Sequence, residues 1–415
     1  MTSYRSTNLR TNLHAFASPA PHTGAPPTAR ILMALLARLA CGELGVIDPD
    51  GRAHQFGPGH NDAGRGEIRL RDWRLARDIL TGGDVAFAEG WMDGRWDTPD
   101  LTALLTVLAH NQAALDRAYY GRWWQRALFR LKHLRNANSK RTAKRNIASH
   151  YDLGNDFYGL WLDPTMTYSA ALFGEDLAQP LAAAQEAKYQ RVLSELALPP
   201  GAHILELGCG WGGFAEFAAR AGYRVTGLSL SEAQTAYARA RIARAGLADR
   251  VTLRVQDYRD ERGTYDGVAS IEMFEAVGEK YWPAFFAAIR RALAPQGRAC
   301  VQTITIADSR FERYRTQSDF IQQYIFPGGM LASPSRFATT AGRAGFAIAR
   351  AHTFGRDYAE TLARWLAAFD ANSGAVRKQG FDERFIRCWR FYLAYCIAGF
   401  MSGSTDVAQY TLTPA

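Results

Sequence analysis

The stretch that decides the fold reads His203-Ile-Leu-Glu-Leu-Gly-Cys-Gly-Trp-Gly-Gly213. His203–Leu207 has the short apolar pattern of a buried strand, and a helix is expected to begin near Phe214, just past the glycines. Small residues between a strand and a helix let the backbone come close to a ligand at the carboxyl end of the strand. Dinucleotide sites use such a turn as well, so the turn alone leaves the ligand open. Its neighbours narrow the choice. Glu206 precedes Gly208 by two residues, giving Glu-x-Gly-x-Gly, in which a carboxylate can meet the amino group of S-adenosylmethionine.

Further strands are read at residues 223–228, Val251–Val255, Asp266–Ile271 and Ala299–Ile304, alternating with helices. Gln256-Asp257-Tyr258 closes the Val251–Val255 strand, and a helix running to Pro295-Gln-Gly297 leads into the last one. This alternation predicts an α/β protein with a doubly wound, mostly parallel sheet, the Rossmann-like order of class I methyltransferases, with helical additions. One feature departs from the generic pattern. The second strand runs into Gly227-Leu-Ser-Leu-Ser231 rather than ending on an acid for the ribose hydroxyls.

The whole chain of 415 residues is 47% hydrophobic and 21% charged, as expected for a folded chain of two or three domains. No apolar run approaches the roughly 20 residues that span a bilayer; the longest, Ile31–Ala40, contains Arg38. Cys41, Cys209, Cys300, Cys388 and Cys396 are odd in number and include no Cys-x-x-Cys pair, which argues against a disulfide framework or zinc ribbon and for a reducing compartment. No His-x-x-x-His occurs among nine histidines, so no metal is expected.

Lys and Arg number 49 against 40 acids, a net charge of +9, and one segment holds the excess. From Arg117 to Ser149 there are ten basic residues and no acid. Arg122, Arg126 and Arg130 recur as one helical stripe, with Trp124, Leu128 and Leu131 beside it and Trp123 in the same run. A basic helix with Trp on its apolar side suits the interface of an anionic bilayer. The competing readings are a solvated linker helix and a nucleic-acid contact, but no nucleic-acid module accompanies the patch. Residues 1–29 read as a disordered tail and 30–115 as a small α+β accessory domain, with helices at Ile31–Ala40 and Leu101–His110 and strands at Gly45–Arg52 and Glu67–Leu70. Residues 116–149 form the basic aromatic linker, and 150–415 the methyltransferase domain.

A series of ordered motifs resembles the cyclopropane-fatty-acid synthase family, which includes the mycolic acid modifying methyltransferases. They are His150-Tyr-Asp-Leu-Gly-Asn-Asp156, Leu162-Asp-Pro-Thr-Met-Thr-Tyr-Ser169, LELGCGWGG (205–213), GLSLSEAQ (227–234), QDYRD (256–260), MFEAVG (273–278), YIFPGG (324–329), FYLAYCIAGF (391–400) and Asp406-Val-Ala-Gln409. EGWMDGRWD (89–97) resembles the extra N-terminal domain of longer bacterial members. By this resemblance Tyr151, Tyr168, Ser169, Gly208, Gly210, Ser229, Leu230, Gln234 and Tyr258 line the S-adenosylmethionine site, joined by Glu206, Gly212 and Asp257.

The implied reaction adds a methyl(ene) group to a double bond of an unsaturated acyl chain in a membrane phospholipid. An alkene is a weak nucleophile, and methyl addition leaves a cation that needs an apolar tunnel, aromatic or anionic walls and a base. The resemblance implies that Glu275, Tyr392 and the backbone of Ile304 hold a bicarbonate ion as that base. Gln302 stands where a histidine is commoner, and Ala170 where a cysteine contributes its backbone. Gln can donate a hydrogen bond to the anion but cannot hold a proton. The change leaves ring closure to a cyclopropane, which the resemblance implies, as the leading expectation, and opens the alternative of methylation without closure, giving a methyl-branched or furan precursor chain. The expected setting is the cytoplasmic face of the inner membrane leaflet; a homodimer is one oligomeric state open to the chain. A nucleic-acid methyltransferase lacks its Asn/Asp-Pro-Pro-Tyr motif here, and a non-enzymatic lipid binder would have no need of Glu275 and Tyr392.

Overall fold

A computed structural model describes residues 25–59, 63–119 and 153–415. The basic stripe of Arg122, Trp123, Trp124, Arg126 and Arg130, and also Tyr151, lie outside the described residues. The chain divides into two compact units, Met1–Tyr120 and Gly121–Ala415.

The first unit holds a four-stranded sheet of β1 (Glu43–Ile47), β2 (Ala53–Phe56), β3 (Arg65–Leu70) and β4 (Trp96–Asp97), in the order β2-β1-β3-β4. Helices α1 (Pro27–Leu36), α2 (Arg74–Met92), α3 (Leu101–His110) and α4 (Gln112–Tyr119) accompany it. Helix α1 begins inside the segment read as a tail and ends four residues before the expected Ala40. Pro27 suits the first helical position because its missing N–H would have no partner there. Downstream, the Asn111 side chain takes the N–H groups of Ala40 and Cys41, which diverts them from a helical ladder. The strand expected over Gly45–Arg52 is a hairpin instead. One Asp48 oxygen accepts the N–H of Asp50 and of Arg52, and this side-chain turn reverses the chain into β2.

The second unit is built on a seven-stranded sheet. Its strands are β5 (His203–Leu207), β6 (Arg224–Ser229), β7 (Val251–Val255), β8 (Tyr265–Ile271), β9 (Leu293–Ile306), β10 (Phe346–Thr353) and β11 (Thr405–Pro414). Their order is β10-β11-β9-β8-β5-β6-β7, parallel from β9 to β7 and antiparallel at β11 and β10. Alternating residues feed two cores, which is what winding on both faces requires. Ile204, Val225 and Ala269 pack with α6 (Leu181–Leu196), α7 (Gly213–Arg220) and α8 (Glu232–Arg244). Leu205, Val268 and Val301 pack with α9 (Trp282–Ala292) and α11 (Pro334–Arg343) on the other face; α5 (Asn155–Tyr158) and α10 (Asp308–Tyr314) complete the order so far. Helix α9 stops at Ala292, so Pro295-Gln-Gly297 lies within β9 at an irregularity of its pairing with β8, not at a helix end. A Cβ on Gly297 would sit 2.7 Å from the Asp266 carbonyl oxygen, so the close approach of the two strands demands glycine.

After the sheet's parallel part, α12 (Gly355–Ala371), α13 (Ser373–Lys378) and α14 (Glu383–Met401) bring an aromatic cluster to α5 and the loop after it. Phe157, Trp161, Trp365 and Trp389 are its buried centre. Among the described residues no helix is long and apolar enough to cross a membrane.

Candidate active site

The glycine turn after β5 does three separate jobs. Gly208 (φ +85°) passes so close to Met273 that a Cβ would meet its side chain at 2.8 Å. Gly210 (φ +48°) has open space where a side chain would begin, as a backbone cradle for a ligand requires. Gly212 (φ +82°) sits at the start of α7 against Ala238 of α8, so it serves helix packing and does not line the pocket. One cavity at the carboxyl ends of β5, β6 and β8 is lined by Tyr168, Ser169, Glu206, Gly208, Gly210, Ser229, Leu230, Gln234, Asp257 and Tyr258. The structure thus brings ten of the expected cofactor residues together.

Their local chemistry explains the neutral end of β6. The Ser229 hydroxyl accepts the Ser231 N–H and reaches the Gln234 side chain, while Ser231 caps α8. The Asp257 carboxylate is held by the Arg259 guanidinium at 2.6 and 2.8 Å. Glu206 is different. It is buried, its Oε2 has no hydrogen-bond partner, and burial pushes its pKa up to about 8 against the opposing charge of Lys188. An unsatisfied buried carboxyl in the pocket wall fits the ammonium of S-adenosylmethionine, and the cradle at Gly210 fits its close approach.

Tyr168 leads from this pocket into the aromatic cluster. Its ring lies 5.4 Å from both Trp161 and Trp365, and its hydroxyl is 2.6 Å from that of Tyr392 on α14. Tyr392 in turn packs on Trp389, 5.3 Å between centroids. Of this cluster Tyr168 is the ring that lines the cavity, where its π-face can lie against a cation, and the buried rings behind it hold it in place.

The groups expected to hold bicarbonate are arranged otherwise than expected. Glu275 accepts the Ile304 N–H through Oε1, and its buried Oε2 is without a partner; burial first, then the charge of Glu272, raises its pKa to about 8. Gln302 does not turn toward Glu275. Its amide donates to Glu272 Oε1 at 2.7 Å and its oxygen accepts from Gln409 at 3.0 Å. The Ala170 N–H also goes to Glu272 Oε1, at 2.8 Å, and the Tyr358 hydroxyl donates to Oε2 at 2.6 Å. Two donors assigned to the anion by the resemblance are therefore taken by a side chain of the protein itself.

Glu272 is the residue that sequence reasoning missed. It follows β8 directly, lines the cofactor cavity and holds a left-handed backbone (φ +51°) that costs a non-glycine residue about 1–3 kcal/mol. Burial raises its pKa, while Tyr358, Ala170, Lys188 and Gln302 act to keep it ionised. An acid at the carboxyl end of a parallel strand, where ligands bind in such sheets, was the available signal.

A profile of the mycolic acid cyclopropane synthetase family matches residues 138–410. The tuberculostearic acid methyltransferase UfaA1 of Mycobacterium tuberculosis (strain ATCC 25618 / H37Rv) is 42% identical over 346 residues, 81% of each chain. The cyclopropane-fatty-acyl-phospholipid synthase of Escherichia coli (strain K12) is 32% identical over 350 residues, 84% of this chain and 88% of that one. Among solved structures, the mycolic acid cyclopropane synthase CmaA1 complexed with SAH and CTAB is 32% identical, with a TM-score of 0.61 over 65% of this chain and 98% of its own. Coclaurine N-methyltransferase bound to N-methylheliamine and SAH, 18% identical with a TM-score of 0.60 over 79% of this chain and 99% of its own, shares the fold alone. The doubly wound sheet, the glycine cradle with its unpaired Glu206, and these likenesses together place the chain in the mycolic acid cyclopropane synthetase family of S-adenosylmethionine-dependent lipid methyltransferases.

Proposed function

We propose that the protein adds a methyl(ene) group to a double bond in an unsaturated acyl chain of a membrane phospholipid, and that Glu272 is the base. When bound, S-adenosylmethionine would supply an electrophilic methyl group, its methyl–sulfur bond breaking as the sulfur leaves as a neutral thioether. Addition to the alkene forms a carbon–carbon bond and leaves positive charge on the neighbouring chain carbon. The ring of Tyr168, which lines the cavity and is backed by the buried Trp161 and Trp365, offers a π-face to that charge. Loss of a proton from the new methyl closes a cyclopropane, and the acceptor must be an anion shielded from water. The observation that carries this reading is the Glu272 carboxylate in the cavity wall, fixed by Ala170, Gln302 and Tyr358. Bicarbonate, bound near the unpartnered Glu275 oxygen, is the competing base.

A second product reading has its own support, since a 42% identical relative is named for tuberculostearic acid. In it a hydride shift moves the charge to the methylated carbon and loss of a methyl proton leaves an exomethylene group, or loss of a chain proton leaves a methyl-bearing alkene. Proton NMR of lipids from cells expressing the protein separates the two. Cyclopropane ring protons appear far upfield, whereas an exomethylene group gives vinylic signals; unmodified acyl chains would overturn both readings. In this picture the basic, aromatic segment 116–149 carries the methyltransferase domain 150–415 to an anionic cytoplasmic leaflet, with residues 30–115 as an accessory domain.

A further inference from the structure

Behind the pocket wall, α6 buries an ammonium group that the sequence did not announce. Lys188 is wholly inaccessible, yet among the described residues no carboxylate pairs with it directly. Its Nζ donates to Ser169 Oγ at 2.6 Å and to Gln185 Oε1 at 2.7 Å, and lies 4.4 Å from the Tyr189 ring centroid. Gln185 also donates to the Ser169 carbonyl at 2.9 Å. Both side chains therefore grip the segment that carries Tyr168 and Ser169 into the cavity and presents the Ala170 N–H to Glu272.

Burying a lysine without an ion pair costs several kcal/mol, so the surroundings have to supply the compensation. Three buried carboxyls do so at a distance: Glu272, Asp163 and Glu206. Asp163 and Glu206 each keep one buried oxygen without a partner. For Glu206 and Glu272, both lifted by burial, the Lys188 charge opposes that rise.

We infer that Lys188 is a positioning residue for methyl transfer, whose buried charge keeps Glu272 in the proton-accepting form. The inference rests on the assignment of Glu272 as base. The other titratable groups facing Glu272 are Glu275, whose ionisation opposes its own, and Tyr358, which donates to it. Around Lys188 the remaining ones are Asp163, Glu206 and Tyr189. Burial pushes the Lys188 pKa down to about 7 and the Glu272 pKa up, and each group's charge resists the shift of the other, so the ammonium acts on Glu272 below that pH. Removing the ammonium therefore moves the protonation of Glu272 to higher pH.

The test is the pH profile of single-turnover methyl transfer for Lys188→Met, with cofactor affinity from calorimetry as the check on folding. The acid limb should move up by about one pH unit, the low end of the effect of an opposite charge. The variant should fall far below the wild type at low pH and converge on it at high pH, where Glu272 ionises unaided. A merely structural lysine would lower activity equally at every pH, and parallel profiles would overturn the inference. Ser169→Ala, which breaks the hydrogen bond but leaves the ammonium, should lower turnover with the acid limb in place; a limb that moves in Ser169→Ala as in Lys188→Met would overturn it too. Should Lys188→Met fail to bind cofactor, Lys188→Arg, which keeps the charge, must hold the wild-type limb. Glu272→Gln separates the two ideas. If it stays active, the base assignment falls; if it is inactive while Lys188→Met keeps the wild-type limb, only the role of Lys188 falls.

Discussion

Replacing Glu272 by Gln keeps the shape of the site and removes only its ability to take a proton. The amide oxygen can still accept from the Ala170 N–H and the Gln302 amide, which lie 2.8 and 2.7 Å from Oε1. Its NH₂ group then faces the Tyr358 hydroxyl, 2.6 Å away, which accepts where it had donated. One hydrogen bond is reversed and a buried charge that helps offset Lys188 disappears, so the expected loss of stability is about 1.5–3 kcal/mol, the scale of a hydrogen bond to a charged group. Turnover is another matter. A positioned base contributes about 10²–10⁴ in rate, roughly 3–5 kcal/mol of transition-state stabilisation. The assay is transfer of a radiolabelled methyl group into vesicles of a dioleoyl phospholipid, with cofactor affinity measured separately. A fall of about a hundredfold or more, with affinity changed less than about threefold, is the mark of an interaction needed in the transition state. Repeating both proteins in bicarbonate-free buffer completes the test. Wild-type turnover that collapses without bicarbonate and returns with it would make the anion the base and refute the argument.

Gly210→Val should abolish S-adenosylmethionine binding, because a β-branched residue resists φ +48° and its side chain would fill the open cradle; unchanged affinity in a folded variant would sink the assignment. Glu206→Gln should stabilise the cofactor-free protein near pH 8 while weakening cofactor binding. The Glu206 carboxyl is lifted by burial, against Lys188, from 4.5 to about 8, so folding takes up a proton and wild-type stability falls as pH rises between those values. A difference in melting temperature that stays flat across that range would contradict it. Changing Arg122, Arg126 and Arg130 to Glu should weaken binding to anionic vesicles, each basic side chain contributing about 1 kcal/mol at low salt. Equal sedimentation of the wild type with neutral and anionic vesicles would refute the electrostatic part.

What the sequence determined by itself is what depends on residues near one another in the chain. The strands at His203–Leu207 and Val251–Val255 and the helix Leu101–His110 were legible to the residue, because apolar period and turn chemistry are local. The glycine turn declared a ligand, and the run of motifs declared the family. Boundaries that depended on a distant partner were not legible: Asn111 ends a helix some 70 residues before it. The base and its counter-charge were still further out of reach. Glu272 meets Ala170 across 102 residues and Tyr358 across 86, so nothing in MFEAVG shows that the acid just before it takes the donors expected to serve an anion. Lys188 reads as an ordinary polar position on a helix until packing closes over it. Burial and the field of three carboxyls turn it into a charge with a task, and both are properties of the packed interior that exist only once β5, β8 and α6 have come together.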